Sequence, residues 1–225
     1  MSRSKKMPIT CPKCGKTNDF RIWDSINTML DPEMKGKVKD RSAFLFTCPD
    51  CGAKNYIDYG FLYHQMEDRL MIAYANSDAN EEEMYKIFTE KHDEIPEMYE
   101  VFRESGYIMR IARSLDALRE KIYIFDDHLD DRIIEIYKLF IYVRVHDDNP
   151  DKDDINIFYM GGEKPHFEVI TSTESLGFTD FNKGLYESIV KEYSGLMPDI
   201  RQDDPVIDRY HAMELLERKR DKEQG

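Results

Sequence analysis

Two short hooks, Cys11-Pro12-Lys13-Cys14-Gly15 and Cys48-Pro49-Asp50-Cys51-Gly52, hold all 4 cysteines of the 225-residue chain. In each hook the proline restrains the turn, and the glycine accepts a conformation other residues avoid. Backbone amides can then point at the first sulfur and stabilise it as thiolate. Two such turns brought together complete a tetrahedron of sulfur, the arrangement zinc takes where it serves structure and not reaction. Cys11, Cys14, Cys48 and Cys51 are therefore the expected ligands and zinc the expected ion, while iron suits the same cage. Thiol redox chemistry fits less well. It uses one CxxC opening a helix, whereas here there are two pairs, each followed by Gly and polar, strand-forming residues.

A hydrophobic content of 41% is enough for at least one sizeable core. The basic N-terminus runs straight into the first hook with no apolar stretch of signal-peptide length. The longest apolar run, residues 133–145, is broken by Glu135, Lys138 and Arg144, so no membrane association is expected. A cytoplasmic location follows as the expectation, and there paired cysteines hold metal and do not form disulfides. The net charge of -13 is unevenly placed. Residues 1–60 carry 11 basic against 7 acidic side chains, and residues 61–225 carry 21 against 38. Nucleic acid could thus be met only by the N-terminal face.

The pattern predicts an α+β protein. An N-terminal antiparallel sheet bearing a zinc ribbon is expected, with strands at residues 20–23, 43–47, 54–62 and 69–74. The charged stretch 31–37, with Pro32 and Gly36, reads as the turn of a long hairpin. Asn80 is the expected cap of a helix over residues 81–91, and Pro96 begins another that stops at Gly106. A strand is expected over residues 107–112. Ser114 caps a helix with Leu115, Leu118, Ile122 and Phe125 on one face. Asp130 and Asp131 head the next, whose core side is Ile133, Ile134, Ile136, Tyr137 and Phe140, giving a helical hairpin. The Asp-rich stretch 147–154 reads as a hinge and candidate boundary between residues 1–146 and 147–225, the alternative being that the second segment packs on the first as one unit. Beyond it come a β-hairpin around Gly161-Gly162, an amphipathic helix with Leu185, Ile189 and Val190, and a last helix opening at Asp204-Pro205 and packed by Met213 and Leu216.

The doubled CPxCG, the strand-rich insert between the hooks, and the later Ser114-Leu115-Asp116 and Leu129-Asp130-Asp131-Arg132 helices resemble the CpXC-domain family of bacterial and archaeal proteins. The resemblance spans about residues 7–145, and all four family cysteines stand at Cys11, Cys14, Cys48 and Cys51. It implies a metal-binding module and no stated activity.

Other candidates carry bland readings beside the functional ones. The run Asp126-Asp127-His128-Leu129-Asp130-Asp131 could bind a cation, but carboxylates at a helix start need no ligand to explain them. Asp147, Asn149, Asp151 and Asp153 alternate like the start of a calcium loop. Lys152 stands where Gly is required and Phe158 where the bidentate Glu is required, so only weak cation binding is left. His64 with Glu67 or Asp68 could form an acid and base pair, though no nucleophile motif, phosphate loop or HExxH accompanies it. Phe20, Trp23, Tyr56, Tyr59, Phe61 and Tyr63 could stack nucleic-acid bases, and strands carry such residues in their cores in any case. The reading favoured is a non-catalytic scaffold whose zinc clamps the sheet and whose surface meets protein or a second copy. The alternatives are a nucleic-acid-binding zinc ribbon and an enzyme with a site between sheet and helices.

Overall fold

A computed structural model of the chain describes residues 2–90 and 104–224. The chain divides into two compact units, Met1–Leu118 and Arg119–Gly225. Both mix helix and strand, so the class is α+β as expected. The stretch 147–154, expected as a hinge, lies inside the second unit.

The first unit is built on strands β1 (Arg3–Thr10), β2 (Thr17–Asn27), β5 (Phe61–Gln65), β6 (Leu70–Tyr74) and β7 (Ile108–Ala112), in the order β1-β2-β5-β6-β7. Every residue of β6 is buried, as its unbroken apolar sequence requires of a central strand. The sheet, expected to be antiparallel, is mixed: β1 pairs with β2 and β5 with β6 antiparallel, but β2 pairs with β5 and β6 with β7 in parallel. Parallel neighbours need a crossover. One crossover carries α1 (Glu33–Lys39) with the small hairpin β3 (Leu45–Thr47) and β4 (Lys54–Tyr56); the other carries α2 (Asp78–Thr89).

Several local expectations change for identifiable reasons. The stretch 31–37 is not a hairpin turn: it opens α1, which buries Met34 and Val38 four residues apart on one face. The strand at 43–47 consequently pairs with β4 and not with β2. The predicted strand 54–62 is two strands, β4 and β5, in different sheets. Ser77 and not Asn80 caps α2, its hydroxyl accepting the Asn80 amide at 3.3 Å. The helix expected after Pro96 lies largely outside the described residues.

In the second unit β8 (Asn156–Met160) and β9 (His166–Ile170) form the expected antiparallel hairpin, and β10 (Ser175–Asp180) adds a third strand in the order β10-β9-β8. A Cβ on Gly161 would lie 2.3 Å from Asp127 Oδ2, the oxygen that accepts the Tyr159 hydroxyl at 2.7 Å. Glycine thus lets the hairpin approach this closely without displacing the carboxylate. The division between units falls within α3 (Leu115–Asp126), whose cap is Ser114, accepting the Ala117 amide at 3.0 Å. Asp130 caps α4 (Asp131–Asp148). α5 (Lys183–Tyr193) follows, and α6 (Arg209–Gln224) starts later than expected, because Asp208 and not Asp204 accepts its first amides. Ile133, Ile134, Ile136, Tyr159, Phe167 and Leu215 lie in one buried cluster. Phe140 is a correction: it stays 45% exposed, and Met213 on α6 is exposed as well.

Charges are built into this core. Lys138 Nζ lies 2.9 Å from Glu120 Oε2 and 2.8 Å from Glu135 Oε1, and Glu120 Oε1 accepts the Tyr159 amide at 2.7 Å. Burial raises the Glu120 pKa against the opposing pull of Lys138. Two carboxylates facing one ammonium leave one excess negative charge in an almost dry site, so Glu120 holds its proton to higher pH than a free Glu. Lys121 pairs with buried Asp131 at 2.9 Å, and Arg132 bridges Asp130 and Asp203 at 2.6 and 2.9 Å. Among the described residues no helix is long and apolar enough to cross a membrane.

Candidate metal centre

The two hooks fold alike. In the first, the Gly15 amide donates to the Cys11 carbonyl at 2.9 Å and the Cys11 amide to the Lys16 carbonyl at 2.9 Å. In the second, Gly52 donates to Cys48 at 2.9 Å and Cys48 to Ala53 at 2.8 Å. Gly15 and Gly52 have φ of 72° and 70°, the left-handed conformation that glycine adopts without cost. The first turn joins β1 to β2 and the second joins β3 to β4, so each hook sits at the tip of a hairpin.

The tips bring all four sulfurs together, every pair within 4.8 Å. Cys11 Sγ is 3.6 Å from Cys51 Sγ, and Cys14 Sγ is 3.7 Å from Cys48 Sγ. A metal bound to four sulfurs at about 2.3 Å requires a tetrahedral edge of about 3.8 Å. These two separations match that edge and exceed a disulfide of about 2.05 Å by far. The four cysteines thus lie close enough to bind one metal ion.

Backbone amides set the acidity of the site. The Cys14 amide, opposed by burial and helped by the Lys13 amide and by Cys51 and Cys14, lowers Cys11 from 9.0 to about 7. The Lys16 amide draws Cys14 down, but burial and the Cys51, Cys11 and Cys48 sulfurs outweigh it and push Cys14 up to about 12. Four thiolates at this spacing repel one another, so all four ionise together only with a cation among them. Cys11 and Cys48 are buried against Phe46, with Ile9, Phe20, Ala53 and Ile57 packed around them. Phe20 meets Phe46 edge to face at 5.8 Å.

Outside the sulfurs, Asp50 ties the two tips together. Its carboxylate accepts from Lys16 Nζ at 2.8 Å and from Asn18 Nδ2 at 3.0 Å, one hook reaching the other. Lys16 holds the Asp50 pKa below the usual carboxylate range. Sequence reading missed this clip, although its signal was present: a lysine directly after the first hook and an aspartate inside the second.

The other candidates do not converge. Among the described residues the four cysteines are the group of His, Cys, Asp and Glu whose donors gather closely enough for a metal. His128 lies two residues past α3 with φ of 54°, Asp127 accepts from Tyr159, Asp130 caps α4, and Asp131 pairs with Lys121. Asn149 Nδ2 donates to the Val145 carbonyl at the end of α4, and Lys152 pairs with Glu174. His64 Nε2 meets the Tyr107 hydroxyl at 3.0 Å, and burial lowers its pKa. Glu67 accepts instead from the Thr28 hydroxyl, and Asp68 from the Gln65 amide. Of the aromatics weighed for base stacking, Trp23, Phe61 and Tyr63 are buried, Phe20 packs on Phe46 and Tyr59 on Phe44, while Tyr56 is 60% exposed.

No curated protein and no solved structure matches the chain. The family model described as CpXC protein matches residues 9–138, more than half of the chain and a span that includes both hooks. The chain belongs to the CpXC family.

Proposed function

We propose that Cys11, Cys14, Cys48 and Cys51 hold one zinc ion that locks the β1-β2 and β3-β4 hairpins into a ribbon, and that the protein is a non-catalytic interaction module of the cytoplasm. The observation that carries this reading is the pair of 3.6 and 3.7 Å sulfur separations at the tips of two like-folded hooks. Four protein sulfurs fill a tetrahedral shell, leaving no open position for a substrate, which separates structural from catalytic zinc. Zinc is preferred to iron because it is redox-inert, as a structural clamp requires. Free thiols at this spacing are suited to a reducing compartment.

The partner class proposed is protein. Nucleic acid is less favoured: most candidate stacking rings pack into the fold, and two of the basic residues of β1, Arg3 and Lys5, are paired with Asp24 at 3.3 and 3.0 Å. An enzyme reading loses support because the His64 imidazole meets the Tyr107 hydroxyl, and among the described residues no close group of His, Cys, Asp and Glu donors forms around His64 or His128. Replacing Cys11 and Cys48 together by Ser should abolish bound metal and unfold the ribbon. A double variant that keeps its metal and melting temperature contradicts the proposal.

A further inference from the structure

Phe140 and Phe178 are exposed apolar side chains, at 45% and 74%, with the Phe178 ring edge to face on His166 at 5.8 Å. Both line one groove of about 410 Å³ in the second unit, between α4 and β10, together with Ile141, Val145, Leu176 and Leu185. β10 is the outer strand of its sheet, and among the described residues no strand pairs with its free edge. At Gly177 the strand carries a register shift opposite β9, and nothing lies within 4 Å of where a Cβ would be. Its neighbour in register, Val169, is buried and also lines the groove. A strand added along β10 would therefore turn every second side chain into an apolar slot that the glycine leaves open.

Charge selects the occupant. The second unit carries 15 basic against 25 acidic side chains. Asp148 and Asp180 stand on the groove rim against one cation, Arg144, and neither carboxylate has an ion pair or side-chain hydrogen bond among the described residues. Asp148 is also the last residue of α4, where the helix dipole is negative. Two copies meeting edge to edge would bring like charges together, and a phosphate backbone would be repelled. We infer that this groove binds an extended segment of a partner protein by strand addition to β10, with apolar residues at alternate positions and Lys or Arg at the flanks. The inference goes beyond the metal reading by naming a surface and a partner chemistry, and it involves no cysteine.

The probe is a labelled, end-blocked peptide, Lys-Val-Thr-Val-Thr-Val-Lys, titrated by fluorescence anisotropy into the zinc-loaded full chain, with amide exchange read at Ser175–Asp180. The expected result is saturable binding with added protection of β10. A Glu-flanked peptide, and the Asp148→Lys plus Asp180→Lys variant with the original peptide, should each bind about tenfold more weakly. Phe140→Glu, at a position 45% exposed, should lose binding while the urea-unfolding midpoint and the amide protection of β9 stay unchanged. Absence of saturable binding, equal binding of the two peptides, or no added protection of β10 overturns the inference. So does protection of β10 that rises with protein concentration without peptide, which would make the occupant a second copy. None of these outcomes alters the metal content, so the zinc proposal stands or falls separately.

Discussion

The metal ribbon and the second unit solve the same problem with opposite means. Among the described residues the buried cluster around the sulfurs is Cys11, Phe46 and Cys48, with a few half-buried neighbours, whereas the second unit gathers fourteen buried side chains in one cluster. A small cluster offsets little of the chain entropy of the two hairpin tips, so on the function proposed above order there depends on the bonds to a metal. The second unit has apolar area in excess and can hold buried ion pairs inside it. On that account local stability is set by ligand at the hooks and by packing in the second unit.

The sharpest way to break this contrast is to strip the metal with a chelator at neutral pH. Structural zinc contributes about 10 kcal/mol or more to such folds. Amides of β1, of the hook-proximal half of β2 and of β3 and β4 should lose exchange protection while those of α4 and β9 keep theirs; equal loss in both regions would end the comparison. Next in size is Lys138→Met, which leaves Glu120 and Glu135 buried without a cation. About 3–5 kcal/mol should be lost in urea unfolding, with metal content unchanged. Gly161→Ala should cost about 2 kcal/mol, because the new methyl displaces the Asp127 carboxylate from the Tyr159 hydroxyl; the same assay reads it.

Smaller effects come from pH and from the clip. Because the folded Glu120 pKa is raised, its proton is held more tightly in the fold than in the unfolded chain. That contribution is fully present below the ordinary Glu pKa and is lost as pH rises through the raised value. Glu135→Gln removes the excess charge and should flatten this decline in a stability-versus-pH series. Asp50 has a lowered pKa, so its contribution has the opposite sign: present above the ordinary Asp range and lost on acidification. Asp50→Asn should speed zinc transfer to a chromogenic chelator by about threefold, a surface effect that high salt also produces.

Much of the candidate site was legible because its chemistry is local. Each hook is five residues long, and Pro and Gly dictate its turn without help from elsewhere. Caps at Ser114 and Asp130 and the hairpin at Gly161-Gly162 were readable for the same reason. What escaped depends on distant partners. The parallel pairings follow from crossovers whose lengths say nothing about strand order. α1 hides behind Pro32 and Gly36, which signal a turn, while its two buried residues, Met34 and Val38, make too short a pattern to outweigh them. The trio of Glu120, Glu135 and Lys138 looks like a solvated helix face, since its burial is completed by Tyr159 on a strand far along the chain. Phe140 looks like core, and only the third strand, β10, reveals that it borders a groove.

The central claim is that one zinc ion, bound by sulfur alone, holds the ribbon together. X-ray absorption at the zinc edge on the purified chain tests it most directly. The account predicts one zinc per chain with four sulfur neighbours at about 2.3 Å and no oxygen or nitrogen. Iron in place of zinc, a shell containing water, or a folded ribbon without metal would contradict it.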